Sequence, residues 1–161
     1  MTVTHALDPE LRLQHALDLA FRYLGRRDRT VLEMRRYLEG KRVEPCAIDA
    51  ALAALERDGY LDDARFARQF AEDKRLLEEW GADRIERRLA TLGVPAELTR
   101  EAIAARDRDG ELEAALALLR RRFPALADDP RDQRRAIGVL ARKGYEPELA
   151  WEAVRAHARG G

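Results

Sequence analysis

The chain has 161 residues, 46% apolar and 37% charged, and its 30 basic and 30 acidic side chains leave a formal net charge of zero. That neutrality excludes a molecule that is basic over its whole surface, so any contact with nucleic acid must come from a local patch or through a protein partner. The single Cys46 excludes an internal disulfide and points to a reducing compartment, and no window approaches the roughly 18 apolar residues of a membrane span.

In chain order, residues 1–11 lack a basic stretch followed by an apolar core, so no secretion signal is read there and a flexible N-terminal segment is expected. Ala16, Leu17, Ala20, Phe21 and Leu24 recur at helical spacing and predict an amphipathic helix. Thr30 with Glu33 forms a capping box ahead of Val31, Leu32 and Met34, which starts a second helix. Pro45 opens a third, since proline loses nothing at a first helical position whose N–H has no partner. Gly59 is expected to end it, and Asp62 or Asp63 to cap the next helix, whose apolar stripe is Phe66, Ala67, Phe70 and Leu77. Gly81 breaks the chain before Ile85, Leu89 and Leu92, and Pro95 opens the following helix. Leu112, Ala115, Leu116 and Leu119 mark another, Asp129-Pro130 starts the next, and Pro147 begins the last.

These elements repeat. The triads Val43/Ala47/Leu52, Val94/Leu98/Ile103 and Tyr145/Leu149/Val154 share one internal spacing and follow one another at intervals of 51 residues. Leu38, Leu89 and Leu140 keep the same interval. Gly93 and Gly144 precede the later triads, where a helix end calls for a left-handed residue; the first copy has Arg42 there. No period-two alternation predicts a strand. The expected fold is all-α: an elongated, curved array of three tandem three-helix repeats at 12–61, 62–109 and 110–161.

Catalytic patterns are missing. His5, His15 and His157 are scattered, nothing matches a zinc signature, and there is no P-loop, dinucleotide-binding glycine pattern or G-x-S-x-G. Asp62-Asp63 and Asp128-Asp129 read as helix caps rather than metal or acid–base pairs. No enzyme activity, cofactor or metal is expected.

Basic clusters carry the functional reading. Arg35 and Arg36 fall in the second helix of the first copy, Arg84, Arg87 and Arg88 in that of the second, and Arg134, Arg135, Arg142 and Lys143 in that of the third. Such a row suits phosphates or an acidic protein surface. Arg120 to Arg122 add a short run, and residues 110–161 carry 10 basic against 8 acidic side chains, which favours the third copy as the contact. Phe21, Tyr37, Phe66 and Phe70 are expected in the core and Cys46 as a buried or half-buried apolar side chain. Trp80 is read as a wedge between helices and Tyr60 as packing at the junction of the first two copies.

The segment Gly59-Tyr60-Leu61-Asp62-Asp63-Ala64-Arg65-Phe66-Ala67 closely resembles a motif of the RecX family of RecA regulators. Trp80 to Leu89, ending in Gly93-Val94, is similar to that family's second-repeat signature, and Tyr23-Leu24, Arg27, Thr30 and Glu33 through Leu38 to its first. The resemblance spans about residues 16–157, with Ala82 where proline is common and Leu92 where lysine is common. It implies a negative regulator that binds the RecA filament on single-stranded DNA and reduces its extension, ATP hydrolysis, strand exchange and co-protease stimulation, with a role in DNA repair, recombination and the SOS response; the lone cysteine and the lack of a signal or membrane span read as cytoplasmic, and a self-capped array is expected to be monomeric. The resemblance also implies that Gly59, Tyr60, Leu61, Asp62, Asp63, Arg65, Phe66 and Ala67 serve mainly structure. Weak direct DNA binding is compatible with it. The residues alone leave open a helical-repeat DNA-binding protein or a scaffold for another partner.

Overall fold

The computed structural model describes residues 8–160. Among them are nine helices and no strand: α1 (Pro9–Leu24), α2 (Val31–Gly40), α3 (Pro45–Arg57), α4 (Asp63–Leu77), α5 (Ala82–Thr91), α6 (Ala96–Ala104), α7 (Arg108–Arg122), α8 (Pro130–Lys143) and α9 (Pro147–Arg159). None is long and apolar enough to cross a membrane. Helix α1 already starts at Pro9, capped by the Asp8 carboxylate, so Pro9, Glu10 and Leu11 of the expected flexible segment are helical. The remainder of that segment, residues 1–7, lies outside the described residues.

The chain divides into two compact units. Unit 1 comprises the residues up to Phe66 together with Leu92–Pro95. Its helices α1, α2 and α3 pack on one another around Met34, Leu38, Ile48, Leu52, Leu55 and Leu61. The capping box of α2 is present: Thr30 Oγ accepts from Glu33 N at 3.1 Å and the Glu33 carboxylate accepts from Thr30 N at 3.0 Å. Thr30 is fully buried, and its hydroxyl also donates to Leu92 O at 2.6 Å. The two aspartates after Leu61 divide the capping work. Asp62 accepts from Arg65 N at 3.0 Å and caps its own helix, α4, whereas Asp63 accepts from Val31 N at 3.0 Å and caps α2. Burial pushes the Asp63 carboxyl above the usual range, the Val31 N–H opposes that, and Glu56, Asp62 and Glu33 add to it.

Unit 2 comprises Ala67–Thr91 and the residues from Ala96 on. Helices α7, α8 and α9 enclose a cluster that includes Leu116, Leu118, Leu119, Leu140, Leu149 and Val154. Helix α8 ends on Gly144 at φ 93°, a left-handed conformation that glycine adopts without the penalty of a side chain. Gly81 N donates to Lys143 O at 2.8 Å and Asp83 N to Gly144 O at 3.0 Å, so the start of α5 sits on the end of α8. A Cβ on Gly81 would stand 2.6 Å from the Gly144 carbonyl and Tyr145 N, and one on Gly144 would run into Arg84. In unit 1 the counterpart holds 51 residues earlier: Thr30 meets Leu92, and a Cβ on Gly93 would run into Leu32. The interval read in the sequence therefore marks a repeated joint.

Several expectations are corrected. Cys46 is exposed, because the second position of α3 lies on its outer side while Ala47 and Ile48 turn inward. Phe21 is 43% exposed, since α1 buries the line through Ala16 and Ala20; its ring meets Tyr60, itself 52% exposed, edge-on at 5.0 Å. Leu77 is 81% exposed, because α4 buries the line Ala67–Ala71–Arg75 and Leu77 falls on the opposite side, about 200° from Arg75. Phe66, Phe70 and Tyr37 are half-buried.

Candidate partner-binding site

Sequence spacing assigned nine cations to second helices, and their surroundings differ. Arg35 is paired with Asp49 at 3.0 Å, and Arg36 is exposed. Arg134 is exposed, and Arg135 lies 3.7 Å from Asp132. Lys143 donates to Glu78 O at 2.7 Å, which closes the end of α4, while the Arg142 and Lys143 carbonyls take part in the joint with α5. The Lys143 side chain is thus tied into structure, whereas Arg142 gives only its carbonyl and its side chain is exposed. Of the Arg120–Arg122 run, Arg121 pairs with Glu79, Arg120 lies 3.8 Å from Glu113 and Arg122 is exposed.

Arg84, Arg87 and Arg88 are brought together. With Lys74, Trp80 and Thr91 they line an open cleft of about 510 Å³ in unit 2. Trp80 is 8% exposed and forms the floor. The Arg84 guanidinium lies 4.1 Å from the indole centre and donates to Arg142 O at 3.0 Å. Lys74 Nζ is 4.7 Å from the same ring and is paired with Glu78. Stacking on tryptophan with one edge committed to a carbonyl fixes the plane of Arg84 and leaves its other N–H groups free to point elsewhere. Arg87 and Arg88 are exposed, and neither makes an ion pair among the described residues. The cleft lining contains four cations and no acid.

Local sequence explains the cluster. Helix α5 turns Ile85 and Leu89 fully inward, which leaves Arg84, Arg87 and Arg88 on the remaining surface. Lys74 and Thr91 were absent from the sequence reading. The signal for Lys74 was its place four residues after Phe70, on one face of α4; its Nζ is 5.5 Å from that ring. Trp80, read as a wedge between helices, is the platform that orients two of the cations.

The family motif divides between backbone and core. Gly59 takes φ 80°, Leu61 is 2% exposed and Ala67 fully buried. Arg65 donates to Gly59 O at 2.8 Å, which ties α4 back to the turn before it. Asp62 and Asp63 cap two different helices.

Nine helices among the described residues, with joints that recur at a fixed interval and a cationic cleft beside α5, define a helical-repeat protein. The family models for the first, second and third three-helix domains of RecX match residues 16–61, 62–103 and 109–154, and the chain belongs to the RecX family of regulatory proteins. It is 36% identical over 139 residues to the regulatory protein RecX of Deinococcus radiodurans, covering 86% of this chain and 66% of that one. It is 31% identical over 155 residues to the regulatory protein RecX of Amycolatopsis mediterranei, covering 95% and 89%. The crystal structure of RecX from Lactobacillus salivarius superposes with a TM-score of 0.80 at 17% identity, over 92% of this chain and 97% of that one, and so shares the fold.

Proposed function

We propose that the chain is a negative regulator of the RecA recombinase, binding the RecA filament on single-stranded DNA in the cytoplasm. On this reading it reduces filament extension, ATP hydrolysis, strand exchange and co-protease stimulation, acting as a monomer without catalytic chemistry of its own. The observation that carries the proposal is the ordered match of all three RecX domains along residues 16–154. The cleft supports it by supplying a cationic surface whose Arg87 and Arg88 are not used up internally.

In this mechanism the cationic face of α5 engages the filament. Contacts to more than one RecA protomer add up, so weak individual contacts give a tight whole. A regulator that prefers one filament state shifts the equilibrium toward it by its difference in affinity for the two. The test is the single-stranded-DNA-dependent ATPase of the cognate RecA, titrated with this protein. Inhibition below one protein per RecA protomer is expected. An unchanged ATPase at stoichiometric excess, with RecA itself active, overturns the proposal.

A further inference from the structure

We propose that the cleft over Trp80 is a phosphate-binding site, which recognises a run of linked phosphates and not the carboxylates of an acidic protein surface. The inference deepens the functional reading above by naming the chemistry that its cationic face takes.

Three observations carry it. First, the charge is unbalanced and local. Lys74, Arg84, Arg87 and Arg88 line one cleft with no acid among them, in a chain whose net charge is zero. Lys74 is paired with Glu78, whose charge also acts on Arg84, so Arg87 and Arg88 are the cations left without an acidic partner. A single carboxylate would leave most of that repulsion in place, whereas linked phosphates bring several negative charges on one molecule.

Second, the donors are partly oriented in advance. Arg84 is held flat by Trp80 on one face and by Arg142 O at one nitrogen. A fixed guanidinium plane suits bidentate capture of a phosphate's oxygens, and the mobile Arg87 and Arg88 can close on the neighbouring ones. Thr91 donates to Arg87 O at 3.1 Å, so its hydroxyl oxygen stays at the rim and its proton is directed away from the ligand.

Third, the aromatic group is unavailable for base stacking. Trp80 is 8% exposed, with Arg84 and Lys74 over it and Phe70 edge-on at 6.2 Å. Sequence-tolerant single-strand binders use open aromatic faces for stacking. Here the ring serves the cations, so recognition rests on phosphate alone and is indifferent to base identity.

Trp80 also reports the site, because a ligand that pulls Arg84 or Lys74 changes the surroundings of the indole. The experiment uses the full chain carrying Trp151→Phe, so that Trp80 is the sole emitter, without RecA. It is titrated with inorganic tripolyphosphate, with an oligothymidylate and with poly-glutamate. Expected are a saturable change in Trp80 emission with a phosphate ligand and at least tenfold weaker binding of poly-glutamate at equal charge. Arg87→Gln with Arg88→Gln should weaken phosphate binding by at least tenfold without moving the unfolding midpoint. For the oligonucleotide, the slope of log affinity against log salt should be about −2 to −3, from three to four phosphates at about 0.7 each.

Binding of the oligonucleotide alone assigns the phosphates to a nucleic-acid backbone, and binding of tripolyphosphate as well assigns the site to free polyphosphates too; both support the proposal. Equal binding of poly-glutamate, or phosphate binding that survives loss of both arginines, overturns it. Since RecA is absent, failure here leaves the regulator reading standing, and an unresponsive RecA ATPase leaves phosphate binding standing.

Discussion

Repeats 2 and 3 differ in how they close. In unit 2, helices α7, α8 and α9 of repeat 3 share a continuous cluster of buried leucine, alanine and valine. The unit's portion of α4, α5 and α6 buries chiefly Ala67, Ala71, Ile85, Leu89 and Ala102, with Trp80 at the edge. Polar groups complete that region. Arg75 donates to Ile103 O at 2.9 Å, and Glu111 accepts from Ala82 N and from Arg106 Nε, each at 2.7 Å. A fold closed by arginines and carbonyls keeps its cations near the surface in set positions, which is what a binding cleft needs. Repeat 3 closes on leucines, and its Lys143 and Arg121 are taken up by Glu78 O and the Glu79 carboxylate.

The comparison can be broken at its joint first. Gly81→Ala puts a Cβ 2.6 Å from backbone atoms of Gly144 and Tyr145, where no flexible side chain can yield. A loss of more than about 3 kcal/mol is expected in urea unfolding. Leu140→Ala, in the apolar core of repeat 3, should cost about 2–5 kcal/mol by cavity formation. Its effect on phosphate binding should vanish wherever the protein remains folded. Glu111→Ala attacks the polar closure of repeat 2 by stranding Ala82 N and Arg106, at about 2–4 kcal/mol. Unlike Leu140→Ala, it should also shift Trp80 emission, because Arg106 and the start of α5 adjoin that residue.

The 51-residue interval, the glycine helix ends and the proline helix starts were legible because each is a local rule with a local cause. The capping box at Thr30 and Glu33 was legible for the same reason. The cleft was legible only in part. Arg84, Arg87 and Arg88 stood out as a run, but Lys74 lies on another helix and reaches them through Trp80. Overall charge pointed to residues 110–161, yet there Lys143 closes α4 and Arg121 is paired, so counting charges did not show which were free. Phe21 was misplaced because it lies one position beyond the buried Ala20, and Leu77 because the stripe of Phe66, Ala67 and Phe70 was carried on to the opposite side of α4.

Two smaller effects sharpen the contrast. Asp63→Asn keeps an oxygen for Val31 N but removes a carboxylate whose folded-state ionisation is disfavoured by burial. A raised folded pKa makes the ionised group a liability at neutral pH that disappears as pH falls through that pKa. The asparagine variant should therefore match or slightly exceed the parent at pH 7, within about 1 kcal/mol, and lose that advantage toward acid. Unfolding midpoints measured from pH 7 down to pH 4 decide it; an advantage that grows toward acid would falsify the assignment. Charge reversal at Arg87 and Arg88 should change stability by no more than about 0.5 kcal/mol while removing inhibition of the RecA ATPase.

Arg42 takes the place that Gly93 and Gly144 hold, with φ 60°. At both glycines the absent Cβ leaves a socket for the start of another repeat's second helix. Units that dock head to tail carry a hazard, since the last of one molecule can seat on the first of the next and run on as an open fibre. Arg42 is exposed and carries a side chain where the two glycines carry none. The first repeat therefore ends without the bare glycine surface on which the other two joints are built.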